Sequence, residues 1–459
     1  MVDPVTIGEI MTSRNVARIG GLAVLMASVA APAFAGSFYL QEQSARGAGR
    51  AYSGETADKG VESLWWNPAA IARSGREATF SLHAIRIDSE ARNTGSTLSL
   101  INPANGQVAG RVPVGGRSVE NNPVESGVVP NFAIATPIND RLSIGLAVSA
   151  PYNFTTKYSA NESVGNVLSD GGSFARYDAN TSELRSADLG LVVAYQVNDW
   201  LDIGAGVSAQ YVKAKLTSNI PSLTGNPLSP LLATDGYSSL EGDGIDFGWN
   251  VGAQIHHGKW DLGLSYRSAI EHDLEGDIVQ SMKGALAPRS FATEGNATFN
   301  TPWFVTAAVR YAATDKLTLN AQINRIGWSE FDAINVNFTG GSDVIHQNYE
   351  DVTTGAIGLD YAFSDKTTFR AGIGYDPTPT TDALRTARIP DSDRFLYSVG
   401  VSTEITEGVG FDAGITYIDM DKAVMNDDRK LLQGAVISNL RGELEGSAIA
   451  FSMGTTIKF

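Results

Sequence analysis

Four arginines stand where a charged group could bind an anion inside the protein. They are Arg267, Arg310, Arg370 and Arg394. Each falls on the polar side of a segment in which polar and apolar residues alternate. A guanidinium can bind a carboxylate through two parallel hydrogen bonds, which would fix the orientation of an acidic ligand. The same group can instead form an internal salt bridge, and that is the expected role for most of the four. For Arg394 the acidic candidates are Asp391, Asp393, Glu42 and Glu55.

Apolar residues cluster in two connecting segments that should face water. Within 216–240 they are Ile220, Leu223, Leu228, Leu231 and Leu232, placed among Pro221, Pro227 and Pro230. Within 271–301 they are Ile278, Val279, Met282, Leu286 and Phe291. An exposed apolar cluster usually marks an interaction site. The two sets either form a loose binding groove or cover each other as a small core, and both can hold.

The segment 36–75 precedes a long series of strands and is rich in Gly, Ala and Ser. It contains the bend-forming sequence Trp66-Asn67-Pro68-Ala69. A compact, Gly-rich segment in this place predicts a hatch, or plug, that fills the lumen made by the strands. Phe38 lies near its start, where an apolar ring could occupy the end of a pocket and be displaced by a ligand. The alternative is that Phe38 only anchors the terminus.

Residues 1–35 have the pattern of a secretion signal. Arg14 and Arg18 precede the apolar run 19–31, and Ala33-Phe34-Ala35 gives an A-x-A cleavage pattern. The net charge of −16 argues against nucleic-acid binding, which needs a basic surface. The absence of cysteine excludes disulfides and thiolate metal sites. We therefore expect an exported protein with no metal site and no cofactor.

After residue 75 the sequence alternates between apolar and polar residues. In 245–255, Ile245, Phe247 and Trp249 share one face with Val251, while the other face holds Asp, Gly, Asn and Gln. About 11 residues are enough for a tilted strand to cross a bilayer. A soluble sandwich would also alternate, but its apolar face would point inward at a packed core. Here the opposite face repeatedly holds Gly, Asn, Gln and Asp, as a wet or ligand-filled lumen would require.

Fourteen such segments are predicted. They lie near 76–87, 128–138, 141–151, 184–197, 200–214, 244–256, 259–270, 302–312, 316–328, 351–363, 366–376, 393–405, 408–419 and 447–459. Six connections are tight, at 139–140, 198–199, 257–258, 314–315, 364–365 and 406–408. The alternate connections are long, as at 88–127, 152–183, 215–243 and 271–301. Short periplasmic turns opposite long extracellular loops are typical of outer-membrane barrels.

Aromatic residues at the strand ends support this interpretation. Trp200, Trp260 and Tyr361 lie by the turns, whereas Tyr266 and Tyr417 lie by the loops, as two interfacial girdles would require. The last strand alternates to a terminal Phe459. We therefore predict an all-β protein, a 14-stranded antiparallel transmembrane β-barrel with an N-terminal hatch in its lumen. Its domains are the signal peptide 1–35, the hatch 36–75 and the barrel 76–459.

Two motifs carry a resemblance to a known family. The first runs from Gln43 to Glu55 (QSARGAGRAYSGE) and is followed by Asn67-Pro68-Ala69; the second is RIPDSDR, from Arg388 to Arg394. Together they resemble the outer-membrane long-chain fatty acid and hydrophobic compound transporters of the FadL/TodX type. The resemblance implies a 14-stranded barrel closed by a hatch. It also implies that hydrophobic ligands are captured at the loops and released by hatch movement through a lateral opening in the wall.

The resemblance also suggests roles for particular residues. Arg394 is expected near the ligand path because the second motif carries it, and loop residues Leu223, Leu228, Leu231, Leu232 and Met282 are expected in the capture groove. The expected gating residues are Phe38, Asn67, Pro68, Gly145 and Pro151. Pro151, at the end of the third strand, removes a donor from the strand ladder, and Gly145 weakens packing, so a break there is plausible.

The expected partners are hydrophobic small molecules, together with outer-membrane lipid and lipopolysaccharide around a monomer in a Gram-negative outer membrane. The cargo stays open between a long-chain fatty acid and an aromatic hydrocarbon such as toluene or xylene. A general porin is less favoured, because the hatch would have no role in it. An enzyme such as a barrel lipase is also less favoured, because His83 and Ser81 are only neighbours on one strand face, with no orienting carboxylate.

Overall fold

The architecture of the protein, seen in a computed structural model, is one closed antiparallel barrel. The structure describes residues 37–159, 172–221 and 235–459. The barrel strands are β1 Glu77–Asn93, β2 Gly127–Pro137, β3 Leu142–Ser149 with Asn153–Lys157, β4 Thr181–Gln196, β5 Leu201–Ile220, β6 Gly236–His257, β7 Trp260–Arg267 with Ile270–Ser281, β8 Phe291–Thr301 with Phe304–Ala312, β9 Leu317–Ile326, β10 Val352–Ala362, β11 Thr367–Asp376, β12 Arg394–Thr406, β13 Val409–Met425 and β14 Gly442–Lys458. The prediction of fourteen antiparallel strands is confirmed.

Closure of the sheet comes from the pairing of the first strand with the last. β1 and β14 run in register from Glu77 opposite Lys458 to Asn93 opposite Gly442. A closed sheet leaves no strand edge with unpaired N–H and C=O groups, which a lipid environment could not satisfy. Within the described ranges, no helix is long and apolar enough to cross a membrane.

The two faces of the wall differ as the alternation predicted. On β6, Phe247 and Trp249 point outward and are 78% and 50% exposed, whereas Asn250 and Gln254 point inward and are 7% and 1% exposed. An apolar outer face and a buried polar inner face fit a barrel in lipid whose lumen is filled.

The connections alternate in length around the barrel. The six short ones lie at 138–141, 197–200, 258–259, 313–316, 363–366 and 407–408, as predicted. The seven long ones, at 94–126, 158–180, 221–235, 282–290, 327–351, 377–393 and 426–441, define what we call the long-loop end. The predicted extent of the connection 271–301 is wrong, because β7 and β8 continue through most of it. Beyond the bilayer both strand faces meet water, so the apolar alternation stops while the backbone ladder continues.

Additional short elements cover the long-loop end. A four-stranded sheet is formed by Thr97–Ile101, Val108–Pro113, Asp428–Leu431 and Val436–Asn439. Further strands are Val119–Asn121, Ala333–Phe338 and Gly341–His346, and 3-10 turns lie at Gly284–Arg289, Trp328–Glu330 and Leu432–Gly434. Leu98 and Val436 of the four-stranded sheet pack with Tyr177 in a small buried cluster. These short elements therefore partly cover the long-loop end of the barrel.

Residues 37–76, which we call the N-terminal segment, lie against the inward face of the wall. The segment is built from the helix α1, Ala45–Ala48, and the 3-10 turns Glu55–Ala57, Val61–Ser63 and Pro68–Ile71. The Ser44 hydroxyl caps α1 by accepting a hydrogen bond from the Gly47 N–H. Side chains of the segment bond to strands all around the barrel, as Gln41 does to Asp376 on β11 and Arg73 to Asp202 on β5.

Two wall glycines allow the backbone of the segment to approach closely. A Cβ on Gly263 of β7 would overlap the carbonyl group of Thr56. A Cβ on Gly372 of β11 would overlap the carbonyl group of Arg50. Backbone of the segment therefore packs directly on backbone of the wall at these positions, which only glycine permits.

This fit predicts that Gly263→Ala displaces the N-terminal segment but leaves the barrel closed. The added methyl group overlaps the Thr56 carbonyl, and overpacking of this kind costs about 1–3 kcal/mol. We expect faster proteolysis of the segment in detergent solution, while the heat-modifiable mobility of the folded barrel is retained. The matched control is Gly355→Ala, whose methyl group has only the Gln322 carbonyl oxygen, 3.9 Å away, as a neighbour. Equal protease resistance of the two variants would contradict the close-fit argument.

Candidate functional site

An apolar cavity lies inside the barrel toward the long-loop end. Its apolar wall includes Phe154 of β3, Leu184 of β4, Leu216 of β5, Leu274 of β7 and Phe299 of β8. The empty space within it, including the part open to solvent, is about 720 Å³. Its few polar lining residues are Glu183, Glu241, Gln347 and Arg388. The cavity is suited to a mainly hydrocarbon ligand.

Phe38 forms the part of this cavity that belongs to the N-terminal segment. Its side chain is 1% exposed and packs edge-on against Trp328 and Phe331, with ring centroids 4.8 and 5.0 Å away. Tyr152 and Phe154 of the third-strand region lie 5.7 and 6.0 Å away. Edge-to-face aromatic pairs in this distance range are favourable. The ring is thus held by apolar contacts, which an apolar ligand in the cavity could replace.

The third strand is interrupted next to this aromatic cluster. Regular pairing of β3 with β4 ends at Ser149 and resumes at Asn153. In the gap, the Leu40 N–H donates to the Pro151 carbonyl at 2.8 Å, and Tyr39 forms an isolated antiparallel bridge with Tyr152. The Tyr152 N–H donates to the Ser186 hydroxyl at 2.9 Å. The N-terminal segment therefore contributes its own backbone to the interrupted part of the wall.

Asn67 and Pro68 fix the far end of the segment. The Asn67 side chain accepts from the Ala69 N–H at 2.9 Å and donates to the carbonyls of Thr56, at 2.8 Å, and Ala253, at 3.1 Å. Pro68 starts the 3-10 turn, where its missing N–H is not needed. Asn67 thus joins two turns of the segment to β6, and its role in gating stays a prediction.

Gly145 lies within the regular part of β3 rather than in the gap. A Cβ there would lie 2.8 Å from the Ile71 Cδ1 atom. Gly145 therefore makes room for the N-terminal segment, and the interruption of β3 begins at Ala150, beside Pro151. A gating role for either residue stays a prediction.

A buried ionic cluster joins the middle of the segment to the wall. The Arg50 guanidinium, 0% exposed, forms ion pairs with Glu55, with Asp58 at 2.6 Å and with Asp360 of β10 at 3.2 Å. Asp360 also pairs with Arg310 at 2.8 Å and with Arg370 at 2.9 Å. Two of the four arginines singled out in the sequence therefore have structural partners.

Arg394 and Arg267 also have partners. The Arg394 guanidinium, 1% exposed, pairs with Asp391 at 2.7 Å and Asp376 at 3.5 Å. Arg267 donates to the Trp65 carbonyl at 3.0 Å and stacks over the Trp65 ring, 3.6 Å from its centroid. The internal salt bridge considered for Arg394 is thus present with Asp391, and a ligand contact by Arg394 stays a prediction.

Most of the predicted loop residues cannot be placed. Leu223, Leu228, Leu231 and Leu232 lie outside the described residues. Met282 follows the end of β7, is half-buried and bonds through its N–H to the Ser290 hydroxyl at 2.9 Å. Ile278 is buried with Ala297 and Val336 in a small cluster at the long-loop end. One of the two alternatives, a local core, therefore holds for Ile278.

Three residues of the site were missed by the sequence reasoning. Trp328 and Phe331 contact Phe38 from a 3-10 turn that follows β9, although the predicted strand extends to 328. Arg388 lines the cavity from the loop 377–393. Arg388 belongs to the RIPDSDR motif, so that motif was the available signal, but strand parity could not be applied to a loop.

Glu42 is a buried acid in the segment near Phe38. Its side chain is 1% exposed, and its Oε2 atom has no hydrogen-bond partner within the described chain. Burial raises the pKa of the Glu42 carboxyl from 4.5 to about 7, although nearby Arg394 opposes the shift. Below about pH 7 the docked segment therefore holds a proton that a displaced, solvated segment would release.

The raised pKa of Glu42 predicts that the docked segment is less stable at alkaline pH. Between pH 4.5 and 7 the docked form binds more protons than the displaced form, so its stability falls as the pH rises through about 7. We expect proteolysis of the segment to be faster at pH 8 than at pH 6 in the wild type, relative to Glu42→Gln, which cannot ionise. A constant ratio between the two proteins would contradict this prediction.

Comparisons with known proteins agree with the fold. The family described as outer membrane protein transport protein (OMPP1/FadL/TodX) matches residues 26–459. The long-chain fatty acid transport protein of Escherichia coli (strain K12) is 28% identical over 456 residues, covering 91% of this chain and 95% of that protein. Outer membrane protein P1 of Haemophilus influenzae is 27% identical over 421 residues, covering 86% and 89%.

Solved structures show the same fold. A Pseudomonas aeruginosa FadL homologue superposes with a TM-score of 0.78 at 21% identity, covering 93% of this chain and 100% of that chain. The P. putida toluene transporter TodX superposes with a TM-score of 0.65 at 16% identity, covering 92% and 99%. With the family match over most of the chain, this protein is an outer-membrane β-barrel that belongs to the outer membrane protein transport family (OMPP1/FadL/TodX).

Proposed function

We propose that this protein carries hydrophobic compounds, above all long-chain fatty acids, inward across the outer membrane. The observation that carries the proposal is the apolar cavity at the long-loop end, whose inner limit is the Phe38 ring of the N-terminal segment. Long loops of such barrels face the outside of the cell. A ligand that enters from outside would therefore meet the segment next.

The choice of cargo draws on the relatives as well as on the cavity. Relatives that match over about nine-tenths of this chain are named long-chain fatty acid transport proteins. An aromatic hydrocarbon is the second candidate, because toluene transporters share the fold. A charged lining residue favours a ligand with one acidic group over a hydrocarbon, and Arg388 supplies that charge.

The N-terminal segment acts as a hatch in this proposal. A ligand that replaces the ring contacts of Phe38 frees the first residues of the segment. Tyr39 and Leu40 then leave Pro151 and Tyr152, where they now fill the interruption of β3. The interruption becomes a lateral opening toward lipid, while Asn67 and Pro68 hold the far end of the hatch in place.

The energetics favour lateral release. Burial of one methylene stabilises by about 0.8 kcal/mol, so a 16-carbon chain gains on the order of 12 kcal/mol in an apolar site. Release into periplasmic water would forfeit that free energy. Release into the hydrocarbon of the bilayer would preserve most of it, so a change in the hatch is enough to move the ligand on.

Other functions have weaker support. A general porin needs an open lumen, whereas the inward face of this barrel is covered by the N-terminal segment. For a lipase, His83 is fully buried and its Nδ1 atom lies 2.7 Å from the Ser452 hydroxyl rather than near Ser81. Within the described chain no carboxylate orients this ring. The pair therefore suits a structural role in the wall.

We also propose that the protein is a monomer surrounded by outer-membrane lipid. The barrel closes through β1 and β14 of one chain, which supports a monomer. Its apolar outer face supports contact with membrane lipid, and with lipopolysaccharide in the outer leaflet. First capture of the ligand is assigned to Leu223, Leu228, Leu231, Leu232 and Met282, and Arg394 is kept as a residue near the path.

The proposed function predicts that a null mutant fails to grow on oleate as sole carbon source and regains growth with the wild-type gene. Growth on toluene, in a host that can degrade it, tests the second candidate. Unimpaired growth of the null mutant on both compounds would overturn the transport proposal.

The hatch role predicts that Phe38→Ala lowers oleate uptake several-fold with the barrel still folded. Loss of a buried ring costs about 3–5 kcal/mol, and here it removes the contact through which a bound ligand would displace the first residues, so binding is no longer coupled to opening. The matched control is Phe247→Ala, which removes a ring that points outward and is 78% exposed. Wild-type uptake by the Phe38→Ala protein, measured with labelled oleate, would argue against the hatch role.

A further inference from the structure

Arg388 is a buried cation that lines the apolar cavity. Its side chain is 6% exposed, and its hydrogen bond to another side chain is donated from Nη1 to the Ser182 hydroxyl at 3.3 Å. Its Nε–H has no partner within the described chain. In the same part of the chain, no carboxylate lies within ion-pair distance of its guanidinium. A buried charge without an anion is unfavourable, so the site is incomplete in the absence of a ligand.

Other buried arginines of this protein do have anions. Arg50 has Asp58 and Asp360, and Arg394 has Asp391. Arg388 therefore departs from the pattern that the rest of the molecule follows. Its backbone is held firmly, because its carbonyl accepts from the Thr156 hydroxyl at 3.0 Å.

The acidic residues near the cavity are already paired. Glu183 forms an ion pair with Arg185 at 2.7 Å. Glu241 forms ion pairs with Lys213 and Lys215, both at 2.9 Å. Asp178, which binds the Ala387 N–H, faces Arg429 at 3.8 Å. None of these carboxylates forms an ion pair with Arg388, although Asp178 attracts its charge from beyond ion-pair distance.

The charge of Arg388 is retained at neutral pH. Burial lowers the pKa of its guanidinium to about 10; repulsion from Arg429 adds to the shift and attraction to Asp178 opposes it. The guanidinium is thus still protonated at neutral pH. Its Nε–H, which has no partner within the described chain, can donate to an anion that enters the cavity.

We infer that Arg388 binds the carboxylate of an acyl ligand and is the specificity-determining residue of the cavity. The acyl chain then lies along Phe154, Leu184 and Phe299 toward Phe38. This inference rests on the proposed function, since it assigns the head group of the proposed cargo. It also separates two ligand classes, because a hydrocarbon or an ester offers no anion to Arg388.

The test compares binding of oleate and methyl oleate to purified protein in detergent. We expect the wild type to bind oleate more tightly than methyl oleate. We expect Arg388→Met to lose about tenfold or more in oleate affinity, because it loses a charge-assisted hydrogen bond to the carboxylate. Binding of methyl oleate should stay unchanged. Arg388→Lys should keep part of the preference, and the control Arg289→Met, an exposed loop charge, should keep all of it.

Each other outcome overturns the inference. Unchanged oleate affinity in Arg388→Met would show that the cation does not meet the ligand. Equal loss for oleate and methyl oleate, with normal heat-modifiable mobility, would show that Arg388 only supports the loop. If the wild type bound neither compound, the proposed function itself would fail; if it bound both with no dependence on Arg388, only this inference would fail.

Discussion

The ion pairs of Arg50 determine how the N-terminal segment sits in the barrel. This side chain links Glu55 and Asp58 of the segment to Asp360 of β10, and Asp360 in turn holds Arg310 and Arg370 of the wall. Buried charges are tolerable only when every member has its partner, so removal of one leaves several uncompensated. The cluster therefore permits one docked position and penalises intermediate ones. The glycine contacts depend on that register, because Gly372 faces the carbonyl of Arg50 itself.

This anchoring divides the segment into two parts of different character. From Arg50 onward it is fixed by ion pairs, a capped turn and close backbone contacts. Before Gln43 it is held by the ring contacts of Phe38, the bond from Leu40 to Pro151 and the bond from Gln41 to Asp376. Apolar contacts can be replaced by an apolar ligand, whereas a buried ionic cluster cannot. Movement is therefore expected at the first residues, next to the interrupted strand.

The sequence predicted the barrel because lipid and lumen impose opposite demands on successive residues. That constraint ends at the membrane surface, so the sequence predicts a loop at 271–301, where the structure continues β7 and β8. Parity correctly placed Arg394 inside, but sequence could not choose between Asp391 and a ligand as its partner. Trp328 and Arg388 stand in a 3-10 turn and a loop, where side-chain direction depends on tertiary packing. The docking role of Gly263 needed the path of another segment to be known.

The opposite end of the barrel gives a reason for a lateral route. A second cavity lies toward the short turns of the barrel. It is lined by charged groups such as Arg46, Lys59 and Glu62, and its empty space, including the part open to solvent, is about 1,170 Å³. An acyl chain that continued along the barrel axis toward the short turns would cross this largely polar space, where it would gain few apolar contacts and displace water from charges. At the interruption of β3, by contrast, the proposed route takes the ligand from a group of aromatic side chains into the hydrocarbon of the bilayer. The charged groups at this end thus make an axial route unfavourable for the proposed hydrophobic cargo.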